Sequence, residues 1–260
     1  MDNHELRTGK LLRISSHDRS GDSLSQYNFK IHANDYMIDQ ISKVMVLSVT
    51  VPNTEYNVNT KNNTLNYDAG AGNVQVSIPV GQYTSLSDVL DALAVSILVN
   101  GIVMTHSIDT LTSKATLTFD TALIIRRGSG IGVDEADESS ISHVIGAGDL
   151  DTASLLVHIM PDLPDLSGLK KVYICSHTLS SSTQMISSDD RHSNAFAEIN
   201  ITEPFGFYCH RHLDDLNTSS ELTLSMPGNI STVDIQLLDQ KLRPVDLNGH
   251  DVYLTLKVFQ

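Results

Sequence analysis

The chain has 260 residues, 40% apolar and only 5% aromatic with no Trp, enough for a Val, Ile and Leu core in one large all-β domain or two modest ones. Its 17 Lys and Arg against 31 Asp and Glu leave a formal charge of −14. That argues against a nucleic-acid binder, whose affinity comes mainly from cations on phosphates, and the basic residues are dispersed, with Arg126-Arg127 and Lys170-Lys171 only pairs. No apolar run of about 18 residues occurs, so no helical membrane span is expected. The polar start Asp2-Asn3-His4-Glu5 predicts no signal peptide. The two cysteines, Cys175 and Cys209, both in predicted strands, fit synthesis in a reducing cytoplasm. The Asn-x-Ser/Thr triplets at Asn62, Asn200, Asn217 and Asn229 are then chance in a chain rich in Asn, Ser and Thr.

Lys10–Ser15 is short and apolar, and a polar loop follows it. Tyr27, Phe29 and Ile31 alternate with polar residues, which predicts a strand. Ile41–Val51 is a longer β-branched run closed by Pro52-Asn53, a second strand. Asn53–Gly72 is rich in Asn, Thr, Gly and Asp and reads as turns and a domain boundary. Val74, Val76 and Ile78 form a short strand. A helix then follows: Ser85 caps it, Asp88 completes the box, and Leu86, Val89, Leu90, Leu93 and Ile97 fall on one stripe that covers a sheet of its own subdomain. Strands are expected near Ile102–Ile108 and Lys114–Phe119, and a short helical piece at Ser139–Ile145.

From Leu155 the texture is β again, interrupted by the stiff Pro161-Asp162-Leu163-Pro164-Asp165. Strands are predicted at Lys171–His177, Ala195–Ile201, Phe205–His210, Glu221–Ser225, Val233–Leu238 and Val252–Phe259, with Leu179–Ser193 an exposed loop. The last two strands flank a turn-rich stretch and read as an antiparallel pair, with the final strand built into a sheet. Outside residues 53–165 there are eight strand candidates, two before and six after. The expected architecture is therefore mainly β, a single eight-stranded antiparallel jelly-roll sandwich formed by residues 1–52 and 166–260. Residues 53–165 become an α+β insertion between its second and third strands. A seven-stranded immunoglobulin-type sandwich lacks its Cys…Trp…Cys framework here.

Few residues suggest chemistry. In Cys209-His210-Arg211-His212 the two imidazoles share a strand face, as in cupin metal sites. However, Asp214 and Asp215 come too soon, Gly206 is too close, and no second motif supplies a third His. Asp189-Asp190-Arg191-His192 and His17-Asp18-Arg19 read as solvated turns rather than acid–base pairs. Gly128-Ser129-Gly130-Ile131-Gly132 is followed by Asp134–Glu138, whose charge would repel a phosphate. No catalytic, cofactor or metal residue is therefore assigned, and no enzyme is expected.

An ordered set of features carries a family resemblance. Ser15-Ser16-His17-Asp18-Arg19 precedes Tyr27-Asn28-Phe29. Then come Leu47–Val51 with Pro52-Asn53-Thr54-Glu55-Tyr56-Asn57, and Ile78-Pro79-Val80-Gly81-Gln82-Tyr83-Thr84 leading into the helix. Lys171–Ser176 follows the Pro-rich linker, then Val233–Asp239, Val245–Gly249 and a last alternating strand. The chain resembles the single-jelly-roll penton, or minor capsid, proteins of polinton-like viruses, virophages and related double-stranded DNA viruses. The resemblance implies a homo-pentamer at a capsid vertex, contacting the major capsid protein, made in the host cytoplasm and located in the virion. The insertion would project outward and be available to a host surface. The acidic Asp134–Glu138 departs from this pattern. The alternatives are a carbohydrate- or receptor-binding β-sandwich of fibre-head type, which would want exposed aromatic platforms, and a cupin-like metal enzyme using His210 and His212.

Overall fold

The computed structural model describes residues 10–23, 25, 28–32, 38–126, 140–148, 151–179, 185–188, 191–212, 221–230 and 232–259. By its contacts the chain divides into two units, residues 1–55 with 169–260, and residues 56–168. The molecule is mainly β and its strand pairs are antiparallel.

The first unit holds two five-stranded sheets. One runs β1 (Lys10–Ser15), β15 (Tyr253–Phe259), β3 (Ile38–Pro52), β12 (Tyr208–His212), with β13 (Glu221–Ile230) also on β3. The other runs β10 (Met185–Ser188), β11 (Arg191–Asn200), β9 (Lys171–Cys175), β14 (Thr232–Leu238), β2 (Asn28–His32). Alternation places Val44, Val46, Val49, Leu254 and Leu256 of one sheet and Phe29, Val172, Ile174, Val233, Ile235 and Leu237 of the other in a single core. Two antiparallel sheets sharing one core are a β-sandwich.

Two expectations change here. The strands at 233–238 and 252–259 are not partners: β14 pairs with β2 and β9, and β15 with β1 and β3, in different sheets. Alternation specifies which face a residue takes but not which strand lies alongside. The unit also has ten strands among its described residues rather than eight, because Lys10–Ser15 pairs along its whole length with β15 and a strand lies at 185–188 inside the expected loop.

The second unit has one sheet, β5 (Asn73–Ser77), β4 (Thr64–Asp68), β7 (Ala115–Arg126), β6 (Met104–Ile108), with β8 (Leu155–Ile159) also on β7. α1 (Leu86–Leu98) buries the predicted stripe in this sheet's core. Both arms of its capping box form: the Asp88 backbone N–H donates to Ser85 Oγ at 3.1 Å, and the Ser85 N–H to Asp88 Oδ2 at 3.1 Å. The Ser85 hydroxyl leads the interactions that hold the Asp88 carboxyl below its ordinary pKa. β4 lies in the stretch expected to be turns. α2 (Ser142–Ile145) is one turn long and ends at Gly146 in the left-handed conformation.

Candidate functional site

β12 presents the His-x-His pair as expected for a strand. Cys209 is buried, while His210 and His212 are exposed on the opposite face. β12 runs antiparallel to β3, and His210 sits opposite Thr50 with Nδ1 2.8 Å from the threonine hydroxyl. Arg211 donates to the Asn200 carbonyl at 3.2 Å and to Thr202 Oγ1 at 3.3 Å. Among the described residues no group of three or more His, Cys, Asp or Glu is placed to hold a metal. Asp214, Asp215, Asp189, Asp190, Gly128–Gly132 and Asp134–Glu138 lie outside the described residues. Cys175 and Cys209 are buried, and among the described residues neither is in a disulfide.

The segments that carry the family resemblance meet one another through hydrogen bonds. Ser16 donates its hydroxyl to Asp251 at 2.8 Å and accepts from the Val252 N–H at 3.0 Å, joining the end of β1 to the start of β15. His17 Nδ1 lies 3.7 Å from the same carboxylate, so this part of His17-Asp18-Arg19 belongs to a latch. Thr54 Oγ1 donates to the Leu247 carbonyl at 2.8 Å, Asn248 Nδ2 donates to the Thr54 carbonyl, and the Asp246 N–H reaches Glu55 Oε1 at 3.4 Å. Thus Pro52–Glu55 is tied to Val245–Gly249. Asp234 of β14 accepts from Ser176 Oγ at 3.1 Å, from the His177 and Thr178 N–H groups at 2.9 and 2.8 Å, and from Thr178 Oγ1 at 2.6 Å. Burial acts to raise the Asp234 pKa, but these donors outweigh it and hold the carboxyl below its ordinary value.

In the second unit Asn57 does the equivalent work. Its Nδ2 donates to the carbonyls of Tyr83 (2.8 Å) and Leu166 (3.1 Å), and its Oδ1 accepts from the Tyr83 N–H at 2.9 Å. The Asn57 N–H is received by Gln82 Oε1 at 3.2 Å. Asn57 and the Gly81-Gln82-Tyr83-Thr84 segment are therefore one structure.

Two features were not anticipated from sequence. Four exposed aromatics, Phe205, Phe207, Tyr208 and Tyr253, occur in the first unit, and Tyr208 meets His250 edge-on at a centroid distance of 6.4 Å. In the second unit His158 is buried within β8, edge-on to Phe119 at 5.6 Å, with Nε2 3.0 Å from the Leu155 carbonyl. Among the described residues its Nδ1 has no hydrogen-bond partner.

Burial pushes the His158 imidazole below the ordinary histidine pKa. The neutral form is therefore favoured by folding. Its contribution is complete above about pH 6.5, the unfolded value, and is lost as pH falls from there through the depressed folded value. We expect hydrogen-exchange protection of the β7 and β8 amides to fall below about pH 6.5 and His158→Phe to remove that dependence. Protection that is flat with pH in the parent chain would show that the imidazole does not couple to this sheet.

No protein-family model matches the sequence, and no curated protein matches it. Among solved structures, the chain is similar to the mavirus penton protein at 11% identity and a TM-score of 0.48, over 96% of this chain and 98% of that one. It is also similar to a chain in the cryo-EM structure of the Sputnik virophage at 13% identity and a TM-score of 0.41, over 97% and 98%.

Proposed function

We propose that the protein is a structural component of a viral capsid, the penton that fills five-fold vertices between trimers of a major capsid protein. The observation that carries this reading is the ordered series of segments from Ser15 to Gly249 that resembles penton proteins, together with the use those segments have. Each joins another such segment or a strand end: Ser16 with Asp251, Thr54 with Leu247, Asn57 with Tyr83, Ser176 with Asp234. The resemblance thus falls on residues that hold a framework, as a building block requires.

On this reading the first unit is a jelly roll and residues 53–165 an insertion projecting outward from the shell. A ring of five uses one heterologous interface repeated around the axis. Phe205, Phe207, Tyr208 and Tyr253 have the aromatic character of interface centres and are the first residues to test there. The −14 charge suits a position in the shell rather than against the genome.

Light scattering coupled to size exclusion tests the oligomer, alone and after co-expression with the major capsid protein of the same virus. The expected result is a discrete species near five times 28.4 kDa, weakened by Phe207→Ala with Tyr253→Ala. A stable trimer, or particles that close without the chain at their vertices, would overturn the penton assignment.

A further inference from the structure

β8 is a short edge strand whose pairing with β7 is interrupted between Leu155 and Val157, and it has neither charge nor proline to blunt it. Among the described residues it pairs only with β7, with Ile159, His158 and Val157 opposite Thr116, Leu117 and Thr118. Its sequence, Leu-Leu-Val-His-Ile, contains no charge at neutral pH and no Pro, since its one titratable group, His158, is buried in the neutral form. Leu155, Leu156 and Val157 are about half exposed and Ile159 is 72% exposed. Soluble proteins normally blunt such edges with charge. Three other edges of this chain do so, with Lys10 and Arg13 on β1, Lys30 on β2 and Arg211 on β12, whereas β5, β6 and β10 carry no Lys, Arg, Asp or Glu. An open row of backbone donors and acceptors beside exposed apolar side chains is complementary to another strand, the arrangement used in β-augmentation.

Charge decides which strand. Residues 56–168 contain 13 Asp and Glu against 4 Lys and Arg, a net −9. Of those cations, Arg126 is already paired with Asp68 and Asp151 at 3.0 Å each, and Lys114 donates to the Pro161 carbonyl. Asp120, between the two β7 segments that pair with β8, and Asp162, three residues past Ile159, are exposed and form no ion pair with a described cation. A second copy would bring one unit of net −9 against another of net −9. We propose that β8 receives an extended, alternately apolar and net basic segment of a different polypeptide, which adds to the sheet as its next strand. This inference does not depend on the capsid reading.

The test uses the full-length protein and a fluorescent synthetic peptide of alternating valine and threonine flanked by lysines, with a glutamate-flanked isomer as control. Binding is read by anisotropy. We expect the lysine peptide to bind at least about tenfold more tightly than the glutamate isomer, a difference of about 1.4 kcal/mol, and to weaken with salt. Val157→Lys with Ile159→Lys should remove that binding while β7 amide protection is retained. If protection is lost, the Thr pair at the same positions replaces it, with a smaller expected loss. Failure of the lysine peptide to bind, equal binding of the two peptides, or unchanged binding by the variants would overturn the proposal. So would a concentration-dependent dimer of the parent chain that Ile159→Lys abolishes, because the occupant would then be a second copy.

Discussion

Asn57→Ala is expected to unfold the second unit locally and to cost about 3–4 kcal/mol, since each buried polar group left without a partner costs roughly 1–3 kcal/mol. The substitution removes two donors and an acceptor at once. It strands the Tyr83 N–H and releases the Tyr83 and Leu166 carbonyls. Asn57 is buried, so water does not readily take over these bonds. Asn57→Asp should be as damaging or worse, because a carboxylate would face two carbonyl oxygens that now receive an amide. The loss should appear first as faster amide exchange in β6 and β7, with the first unit's β3 and β15 amides unaffected. If Asn57→Ala changes exchange in neither β6 nor β7 by more than about tenfold, roughly 1.4 kcal/mol, the side chain is not the anchor that its bonds indicate.

How much could be read without coordinates depended on whether the relevant physics was local. The helix was legible nearly to the residue because caps and an i, i+3, i+4 stripe are properties of neighbours in sequence, and Ser85, Asp88, Leu86 and Ile97 carry them. Strands with clean alternation, such as Val233–Leu238, were equally plain. β4 was hidden because two of its five residues, Thr64 and Asn66, are polar yet buried, so the segment looks like a turn while Leu65 and Tyr67 fill the core. Strand pairing was hidden for a different reason. The turn-rich stretch between β14 and β15 suggested a hairpin, but the chain crosses from one sheet to the other there, held by Asp239. That buried carboxylate accepts from the Lys241 and Arg243 N–H groups at 2.8 Å and from Arg243 Nε at 2.9 Å.

The candidate surfaces were less legible still. From Leu155 to Met160 the sequence has only a β texture, and nothing in it tells that four of its apolar side chains are exposed while its one polar residue, His158, is buried. The sole signal was that histidine inside an otherwise apolar run, which sequence reasoning passed over. The His210 and His212 pair was easy to see, and its placement on one face followed from strand geometry. What the sequence lacked was the cross-strand neighbour, Thr50, 160 positions away.

Gly146→Ala is the second substitution from which a large effect is expected, and the reason is steric. Gly146 has φ +73° at the end of α2, a conformation that costs an L-residue of the order of 1 kcal/mol. Space is the greater obstacle: an added Cβ would fall 2.3 Å from the Asp162 carbonyl oxygen and 3.0 Å from the Leu163 carbonyl carbon. Both are backbone atoms, so no side chain can swing away. The strand–linker segment would have to move, and the bond from the Asp162 N–H to the Gly146 carbonyl at 2.9 Å would break. Together these should destabilise the second unit by about 4 kcal/mol or more, in the range of the most damaging single changes. Gly101→Ala is the matched control. Its φ is +77° but no atom lies within 4 Å of the added Cβ, so only the backbone cost of about 1 kcal/mol should appear. Measured by amide exchange of the α2 and β8 backbones, the difference between the two variants isolates the close approach of residues 162–163. Equal effects would mean that the linker yields at little cost, and that Pro161 and Pro164 do not hold it rigidly in place.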